Sequence, residues 1–379
     1  MDSQQYQIIY FPYLCMKGID EIDFGFAKIW NFSKCKSKYI KDQNQIDKIT
    51  KIFNCYKCYK TSLIDEIGIF SIGDVDFRVL SEDEMVFVKE VRYLLFLSFL
   101  SKNNTIVYNC NSGHQMATSD NFDVIYQNFT LENDSVAERV GEIISYNKGG
   151  YKLDEVVYQR PSFVPTPMRF DIDRDLFSHL IDLKSKRPLV YRRILNATEI
   201  FFESYYNSHY VSRNARILLQ AAAFEILLQL PVEAPRKEFR HRIGFFSIHS
   251  GDKKYSYAIR YWSKKQLKVV KEQLTIKEIW ADKFFSLRNM IIHGEKVEPN
   301  DFLFKGDQRH YDIALLFFIL IIKKQIEKIL RNKKYCCDYE INWKSWKDEI
   351  SQPELTMKSG FVYEYTMRKL FEKMVNRKK

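Results

Sequence analysis

Three side chains suited to acid–base and phosphate chemistry lie close together near the end of an apolar segment. The stretch FFSLRNMIIHGE, residues 284–295, contains Arg288, Asn289 and His293. Histidine transfers protons near neutral pH, whereas arginine is permanently charged and pairs with phosphate through two parallel hydrogen bonds. These residue types indicate proton transfer beside a phosphate. They also fit a solvent-facing helix stripe, with His293 favourable near a helix C-terminus and Arg288 in a salt bridge.

The helix that carries these residues has clear signals at both ends. Thr275 and Glu278 form a capping-box pattern at its start, and Leu274 and Ile279 have the spacing of a hydrophobic staple. Gly294 suits the left-handed conformation that commonly follows the last helical residue. The pattern therefore predicts one helix from Thr275 to Gly294.

Helical periodicity divides this helix into two stripes. The apolar stripe, which we expect to face a core, consists of Trp280, Phe284, Leu287 and Ile291. The polar stripe consists of Asp282, Ser286, Asn289 and His293. Asn289 and His293 are one turn apart, but Arg288 points roughly 140° away from His293 on an ideal helix. Spacing alone leaves open whether Arg288 and His293 meet.

Three further strong helices are predicted in the C-terminal half, over residues 188–210, 212–231 and 310–331. The second is apolar nearly all round, as expected of the most buried helix in a bundle. Glu225 lies in it, and a buried carboxylate needs a partner, such as an arginine on the motif helix. Glu225 is therefore a candidate supporting residue. The alternative is that Glu225 and Gln229 share a narrow exposed strip.

The N-terminal half has a different character from the C-terminal half. Its β-rich runs, separated by Asn, Gly, Asp and Ser, cover residues 5–14, 22–30, 67–72, 74–80 and 105–110. The proline-rich connector RPSFVPTPMRF follows, where helix is disfavoured, and everything after it is predicted to be helical. The sequence thus predicts an α+β protein with a mixed, sheet-containing sensing or regulatory domain at 1–165, an all-α bundle at 166–335 and a basic C-terminal extension at 336–379.

The stretch RNMIIHG resembles the R-x4–6-H motif of the HEPN superfamily (higher eukaryote and prokaryote nucleotide-binding), in which a polar residue commonly follows the arginine, as Asn289 does here. The helix order is also similar, with a hydrophobic helix upstream and an apolar helix after the motif. The likeness covers about residues 185–335 and is greatest to the Apea-like branch, found in prokaryotic antiviral and toxin systems.

This resemblance implies metal-independent cleavage of RNA by a homodimer whose two motifs line one cleft. A ribose 2′-hydroxyl attacks the adjacent phosphate, His293 moves a proton, and Arg288 stabilises the phosphoryl charge. Asn289 orients the imidazole or holds the phosphate. The implied role is an antiviral-defence, abortive-infection or toxin effector, held inactive until a phage-derived or other trigger reaches the N-terminal domain.

Two other functions remain open. In one, the HEPN bundle is a dimerisation or RNA-binding module without cleavage, and the polar stripe is structural. In the other, the chain is an interaction scaffold without a nucleic-acid role. The sequence also departs from HEPN toxins that carry a modifiable tyrosine two residues after the histidine, because Glu295 occupies that position.

The distribution of charge favours a polyanionic partner. Residues 1–165 contain 18 Lys+Arg and 22 Asp+Glu, whereas the remainder contains 41 and 26. Such an excess attracts RNA through phosphate contacts, although a lysine-rich, solubilising surface explains it as well. The basic stretches 184–193, 235–242 and 253–265 interleave aromatic residues and suit single-stranded RNA, with solvated helix ends and loops as the alternative.

Several other classes are disfavoured by the sequence. The longest apolar runs, at 93–100 and 313–322, are too short to span a bilayer, and the N-terminus lacks a secretory signal pattern. The seven scattered cysteines agree with a reducing compartment, so we expect a cytoplasmic protein without a membrane partner. The pair CYKC at 55–58, even with CNSGH at 110–114, matches no zinc pattern, and we predict no metal or cofactor.

Overall fold

The computed structural model describes residues 4–331, apart from 15, 17, 59–62, 65, 74, 110–117, 137–138, 141–142, 145–150, 163, 165–171, 208–210, 248–253, 264–265 and 306–307. The chain forms two units. The first consists of Met1–Phe96, Gly113–Asp171 and Tyr205–His209, and the second of Leu97–Ser112, Ile172–Ser204 and Tyr210–Lys379. The domain boundaries at 165 and 335 stay a prediction, and the extension 336–379 lies outside the described residues.

The first unit is built on a mainly antiparallel sheet. Its strands and those of two smaller pairs are β1 (Tyr6–Phe11), β2 (Glu21–Asp23), β3 (Ala27–Asn31), β4 (Tyr56–Lys57), β5 (Gly68–Ile72), β6 (Ile125–Phe129), β7 (Ser135–Val136), β8 (Arg139–Val140), β9 (Ile143–Ile144), β10 (Tyr151–Lys152) and β11 (Tyr158–Gln159). The sheet order over the described strands is β2-β3-β5-β1-β6-β9-β8, with β6 and β9 parallel. The pairs β7–β10 and β4–β11 lie outside it.

Helices cover part of this sheet's apolar surface. They are α1 (Phe32–Tyr39), α2 (Gln43–Asn54) and α3 (Glu82–Asn109), of which α3 contributes residues to both units. Asn31 and Asp42 cap α1 and α2 through their side-chain oxygens. In the core, the Tyr10 hydroxyl donates to Gln127 at 2.8 Å and lies 2.6 Å from the Tyr56 hydroxyl. The buried polar groups of this sheet are therefore joined across strands.

The β-rich runs of the sequence have mixed outcomes. Those at 5–14, 22–30 and 67–72 contain β1, β2 with β3, and β5, so these strand predictions are confirmed. The run at 74–80 has neither helix nor strand at its described positions. The prediction at 105–110 was wrong, because residues 105–109 continue α3. Extending an existing helix by one residue costs far less than starting a new element, and the apolar run before it is already helical.

The second unit is mostly helical. Its helices are α4 (Arg174–Lys186), α5 (Pro188–Ser204), α6 (Arg213–Leu228), α7 (Pro235–Ser247), α8 (Ile276–Ile292) and α9 (His310–Arg331). Its strands are β12 (Lys254–Ser263), β13 (Gln266–Thr275), β14 (Leu303–Lys305) and β15 (Gln308–Arg309), which pair as two antiparallel hairpins. The α+β class is confirmed, with a C-terminal region that is mostly helical.

The β12–β13 hairpin corrects the prediction that everything after the proline-rich connector is helical. Residues 253–265 were interpreted as a basic stretch, yet Lys254 to Ser263 form an extended strand. The strand alternates in exposure: Tyr255 and Tyr257 are half-buried while Lys254, Ser256 and Ala258 are exposed. This period of two is the signature of a half-buried strand. Exposed lysines of the hairpin, such as Lys254 and Lys271, obscured this alternation in the sequence.

An aromatic core lies at the centre of the second unit. Phe224 of α6 lies 5.1 Å from Phe239 of α7, 6.0 Å from Phe284 of α8 and 5.7 Å from Phe318 of α9, measured between ring centroids. Edge-on packing of such rings stabilises a core beyond the burial of their area. Four helices thus meet at one residue. Over the residues that the structure describes, helices of sufficient length and apolarity to cross a bilayer are absent.

Candidate active site at the end of helix α8

Both ends of α8 are fixed by the residues that its sequence indicates. The Glu278 carboxylate accepts from the Thr275 backbone N–H at 2.8 Å, and the Thr275 hydroxyl oxygen accepts from the Glu278 backbone N–H at 3.3 Å. Leu274 and Ile279 are buried beside this cap. At the other end, Gly294 adopts a φ of +70°. The predicted capping box and left-handed cap are confirmed, and they set where the helix begins and ends.

The apolar stripe of α8 faces the core as predicted. Trp280, Phe284 and Leu287 are buried, and Ile291 is half-buried near the helix end. The Trp280 ring stacks on the Phe317 ring of α9 with centroids 4.5 Å apart. This packing fixes the rotation of α8 about its axis and thereby decides where the polar residues point.

The polar stripe begins inside the protein. Asp282 is buried and accepts from Arg236 of α7 at 2.9 and 2.6 Å, with Arg240 3.7 Å away. Burial, followed by the charge of Asp282, raises the pKa of the Tyr257 hydroxyl on β12. A paired and hydrogen-bonded carboxylate satisfies the demands of burial. At Asp282 the stripe therefore joins three elements and does not face solvent.

Arg288 is held by residues of the same chain. Its Nη2 lies 2.9 Å from Glu225 Oε1 on α6, its Nη1 donates to Asn289 Oδ1 at 3.1 Å, and its guanidinium lies 5.7 Å from the centroid of the Phe285 ring. The contact expected between Glu225 and an arginine on the motif helix is present. The Arg288 side chain remains 24% exposed and that of Glu225 31%. The Arg288 side chain is therefore oriented and partly exposed.

His293 is set apart from this pair. It is exposed, and as the C-cap residue of α8 its backbone N–H donates to the Asn289 carbonyl at 3.0 Å. Within the described chain its imidazole makes no hydrogen bond, and the Asn289 amide oxygen is engaged by Arg288. The structure thus brings Arg288, Asn289 and Glu225 into contact and leaves His293 beside them.

Gln229 extends the site along α6. It follows Glu225 by four residues, has a φ of +51° as the left-handed residue that ends the helix, and is exposed. Its Oε1 accepts from Arg193 Nη1 of α5 at 2.6 Å. Glu225 and Gln229 therefore share a partly exposed strip, and Glu225 also has its arginine. Glu225 is half-buried, not buried as the first interpretation assumed, and its role as a supporting residue stays a prediction.

Sequence reasoning gave no role to the arginines that surround these residues. Arg193 lies in the basic stretch 184–193, and Arg236 and Arg242 lie in the stretch 235–242. Their density was visible, but the partners of Arg193 and Arg236 lie in other helices, so spacing carried no signal for these two arginines. Arg242 pairs with Glu238 four residues earlier in its own helix. Only the folded arrangement separates Arg236, which is paired with a buried aspartate, from the others.

The Cys55 thiol of the CYKC pair is buried and hydrogen-bonded. It donates to the Leu153 carbonyl at 3.1 Å, and burial raises its pKa to about 11. No cluster of three or more His, Cys, Asp or Glu side chains suited to a metal occurs among the described residues. Cys110 and His114 lie outside them.

This end of α8 carries an oriented cation at Arg288 and, five residues later, the exposed imidazole of His293. A guanidinium with free N–H groups can stabilise a phosphoryl oxygen, and an imidazole can exchange protons with water or a substrate. Comparisons of the chain with protein-family models, with curated proteins and with solved structures find no match. The function therefore has to be argued from the site itself.

Proposed function

We propose that the second unit is a metal-independent endoribonuclease of the HEPN type, with Arg288, Asn289 and His293 as its catalytic residues. The observation that supports this most is the Glu225–Arg288 contact of 2.9 Å, which orients a partly exposed guanidinium five residues before an exposed histidine. An oriented cation stabilises a transition state better than a mobile one, because it needs no reorganisation during the reaction.

The reaction follows from these groups. The ribose 2′ oxygen forms a bond to phosphorus and loses its proton to one imidazole, while the bond from phosphorus to the 5′ oxygen breaks. The 5′ oxygen takes a proton from a second imidazole, supplied by the same residue of a second copy. Arg288 stabilises the charge on the phosphoryl oxygens. The products are a 2′,3′-cyclic phosphate and a 5′-hydroxyl, and DNA is not a substrate because it lacks the nucleophile.

The biological setting that we propose rests on the same resemblance. The protein acts in the cytoplasm as a homodimer, as an antiviral-defence or toxin effector, and the first unit receives a phage-derived or other trigger. The net charge of the C-terminal half supports RNA as its target. Light scattering on the purified full chain tests the dimer, with a monomer at micromolar concentration contradicting it.

A second candidate function is an RNA-binding or dimerisation module without cleavage. The observation that favours it is that Arg288 donates to both Glu225 and Asn289, as a purely structural arginine does. In that case RNA binding is sensitive to salt, survives both Arg288→Ala and His293→Ala, and is accompanied by no strand scission.

Incubation of the full chain with mixed cellular RNA in EDTA decides between these functions. The nuclease cleaves and leaves 2′,3′-cyclic phosphates, and His293→Ala lowers the rate by at least about a hundredfold. His241→Ala is the matched control, because it removes an exposed imidazole from α7 of the same unit and is expected to keep the wild-type rate. Equal cleavage by wild type and His293→Ala rejects His293 as catalytic. Binding without cleavage favours the second function.

A further inference from the structure

Arg193 of α5 is a cation whose contacts do not neutralise it. Its Nη1 donates to Gln229 Oε1 at 2.6 Å and its Nη2 donates to Gln325 Oε1 of α9 at 3.2 Å. Its Nε is buried and has no hydrogen-bond partner in the described part of the chain. Both acceptors are uncharged amides. The guanidinium is therefore oriented, and in the described chain no carboxylate balances its charge.

The orientation of Arg193 is itself supported. Gln325 Nε2 donates to the Leu227 carbonyl in the last turn of α6 at 3.2 Å, which fixes the amide and directs its oxygen at Arg193. The Gln229 backbone ends α6 in the left-handed conformation, and its exposed side chain supplies the second amide. Gln325 thus has a supporting hydrogen bond of its own, and both amides contact the guanidinium. Such positioning by supporting side chains is what a binding site requires.

A second arginine lies against the same helix end. Arg242 of α7 donates from Nη1 to the Leu228 carbonyl and from Nε to Glu238 at 2.6 Å. Burial, and after it the positive charge of Arg242, lowers the pKa of Arg193. Glu238 balances the charge of Arg242, whereas Arg193 has no carboxylate partner in the described chain. The positive charge of Arg242 beside Arg193 therefore favours a further anion at Arg193.

Helix capping explains one of these arginines and not the other. The C-terminal carbonyls of a helix attract cations, and Arg242 binds one of them directly. Arg193 contacts side-chain amides instead of carbonyls. Helix capping therefore does not account for the position of Arg193.

Arg193 and the candidate active-site residue Arg288 are connected through α6. Arg288 binds Glu225 and Arg193 binds Gln229, and these two acceptors are one turn apart, about 6 Å along the helix axis. Arginines from α5 and α8 therefore flank the same end of α6. A nucleic acid strand has a phosphate at every nucleotide, so a strand at Arg288 has further phosphates nearby.

We propose that Arg193 and Arg242 form a phosphate-binding subsite that holds the RNA backbone at a nucleotide next to the one whose phosphate is cleaved at Arg288. Cleavage at Arg288 is part of the proposed function, on which the inference rests in this respect. Phosphate binding by Arg193 and Arg242 does not depend on it. The ligand class is a single-stranded phosphodiester. Because the contacts reach only phosphate, the subsite contributes affinity without sequence preference.

The test measures binding in a chain that cannot cleave. Fluorescence anisotropy follows a labelled single-stranded RNA binding to full-length His293→Ala protein over a series of salt concentrations. Adding Arg193→Gln is expected to weaken binding about tenfold and to make the salt dependence shallower by roughly one phosphate contact. Arg193→Lys keeps the charge, and is expected to retain the salt dependence while losing part of the affinity.

Arg192→Gln is the matched control. Arg192 is the exposed neighbour of Arg193, and its substitution removes the same charge from the same helix. Binding that falls equally in Arg192→Gln and Arg193→Gln overturns the subsite in favour of general charge attraction. Unchanged affinity in Arg193→Gln, with the thermal unfolding midpoint confirming a folded chain, overturns it as well. If the proposed nuclease function is wrong, the result is different. Wild type then binds RNA in a manner that depends on Arg193 but does not cleave it.

Discussion

Glu225 on α6 and Arg288 on α8 form an ion pair of 2.9 Å that joins two core helices at their solvent-facing ends. One Nη of the guanidinium donates to Glu225 and the other to Asn289, and its Nε makes no hydrogen bond in the described chain. The pair is neither buried nor freely solvated. The ion pair limits the motion of the Arg288 side chain and leaves some of its guanidinium N–H groups without a partner in the described chain.

Replacing Glu225 tests whether this pair positions Arg288. Glu225→Ala is expected to lower the RNA-cleavage rate about tenfold, because Arg288 gains rotamers, while Glu225→Gln retains an acceptor and most of the rate. A partly exposed pair contributes little stability, so either change is expected to alter the free energy of unfolding by about 1 kcal/mol or less. Cleavage assays and urea unfolding measure the two effects. A wild-type rate for Glu225→Ala would contradict the positioning role.

Gly294 tests the cap that ends the motif helix. An alanine Cβ at this position meets no atom within 4 Å, so the cost of Gly294→Ala comes from its φ of +70° alone. We expect a loss of about 1 kcal/mol in the free energy of unfolding. Gly294→Asn should lose less, because asparagine tolerates this conformation better. Equal losses for both variants, measured by urea unfolding, would show that the left-handed conformation is not what the position requires.

Replacing Asp282 tests whether the polar stripe of α8 is buried and paired at this end. Asp282→Asn leaves Arg236 without its carboxylate, and we expect the free energy of unfolding to fall by about 3 kcal/mol. Ser286→Ala, one turn further along the stripe, is the control and should change it by about 0.5 kcal/mol or less. Circular dichroism in urea gives both values. Similar small effects for the two variants would mean that the stripe is solvated along its whole length.

The carboxyl group of Asp173 is expected to make the free energy of unfolding depend on pH. Burial opposes ionisation of its carboxyl, but Lys323 at 2.8 Å, Ser101 and the Leu176 N–H outweigh it and lower the pKa to about 2. An aspartate with a lowered pKa stabilises the fold above its ordinary pKa near 3.9, and this contribution is lost as pH falls toward 2.

The corresponding variant is Asp173→Asn. At pH 7 it should reduce the free energy of unfolding by about 2 kcal/mol, and the difference from wild type should shrink between about pH 4 and pH 2. Urea unfolding at several pH values measures this. The exposed Asp175→Asn is the control, with an expected change of about 0.5 kcal/mol or less. A difference that stays constant down to pH 2 would rule out the lowered pKa.

The fold was predictable where one stretch of sequence decides its own structure. The cap at Thr275, the apolar stripe through Trp280 and the stop at Gly294 are local, and α8 follows from them. The β12–β13 hairpin was missed because its exposed face carries cations that obscure the alternation. At the candidate site, the contact of Glu225 with an arginine on the motif helix was expected because the helix of Glu225 is largely apolar.

The contacts of Arg193 and the choice of partner for Asn289 could not be predicted from the sequence. Arg193 is bound by Gln229 and by Gln325, which is 132 residues away along the chain, and no periodicity links them. Whether Asn289 turns to Arg288 or to His293 depends on the rotamers chosen by packing. The sequence predicted that Arg288, Asn289 and His293 lie on one helix. Which of them are in contact depends on the folded structure.

Thr275 is both the last residue of β13 and the N-cap of α8, so no linker residue separates strand from helix. The strand of about 33 Å therefore continues directly into the helix of about 25 Å, and Tyr257 and Asp282 interact near their junction. Because no residue between them can absorb a change of direction, the direction of β13 at Thr275 sets the direction of α8, whose other end carries Arg288.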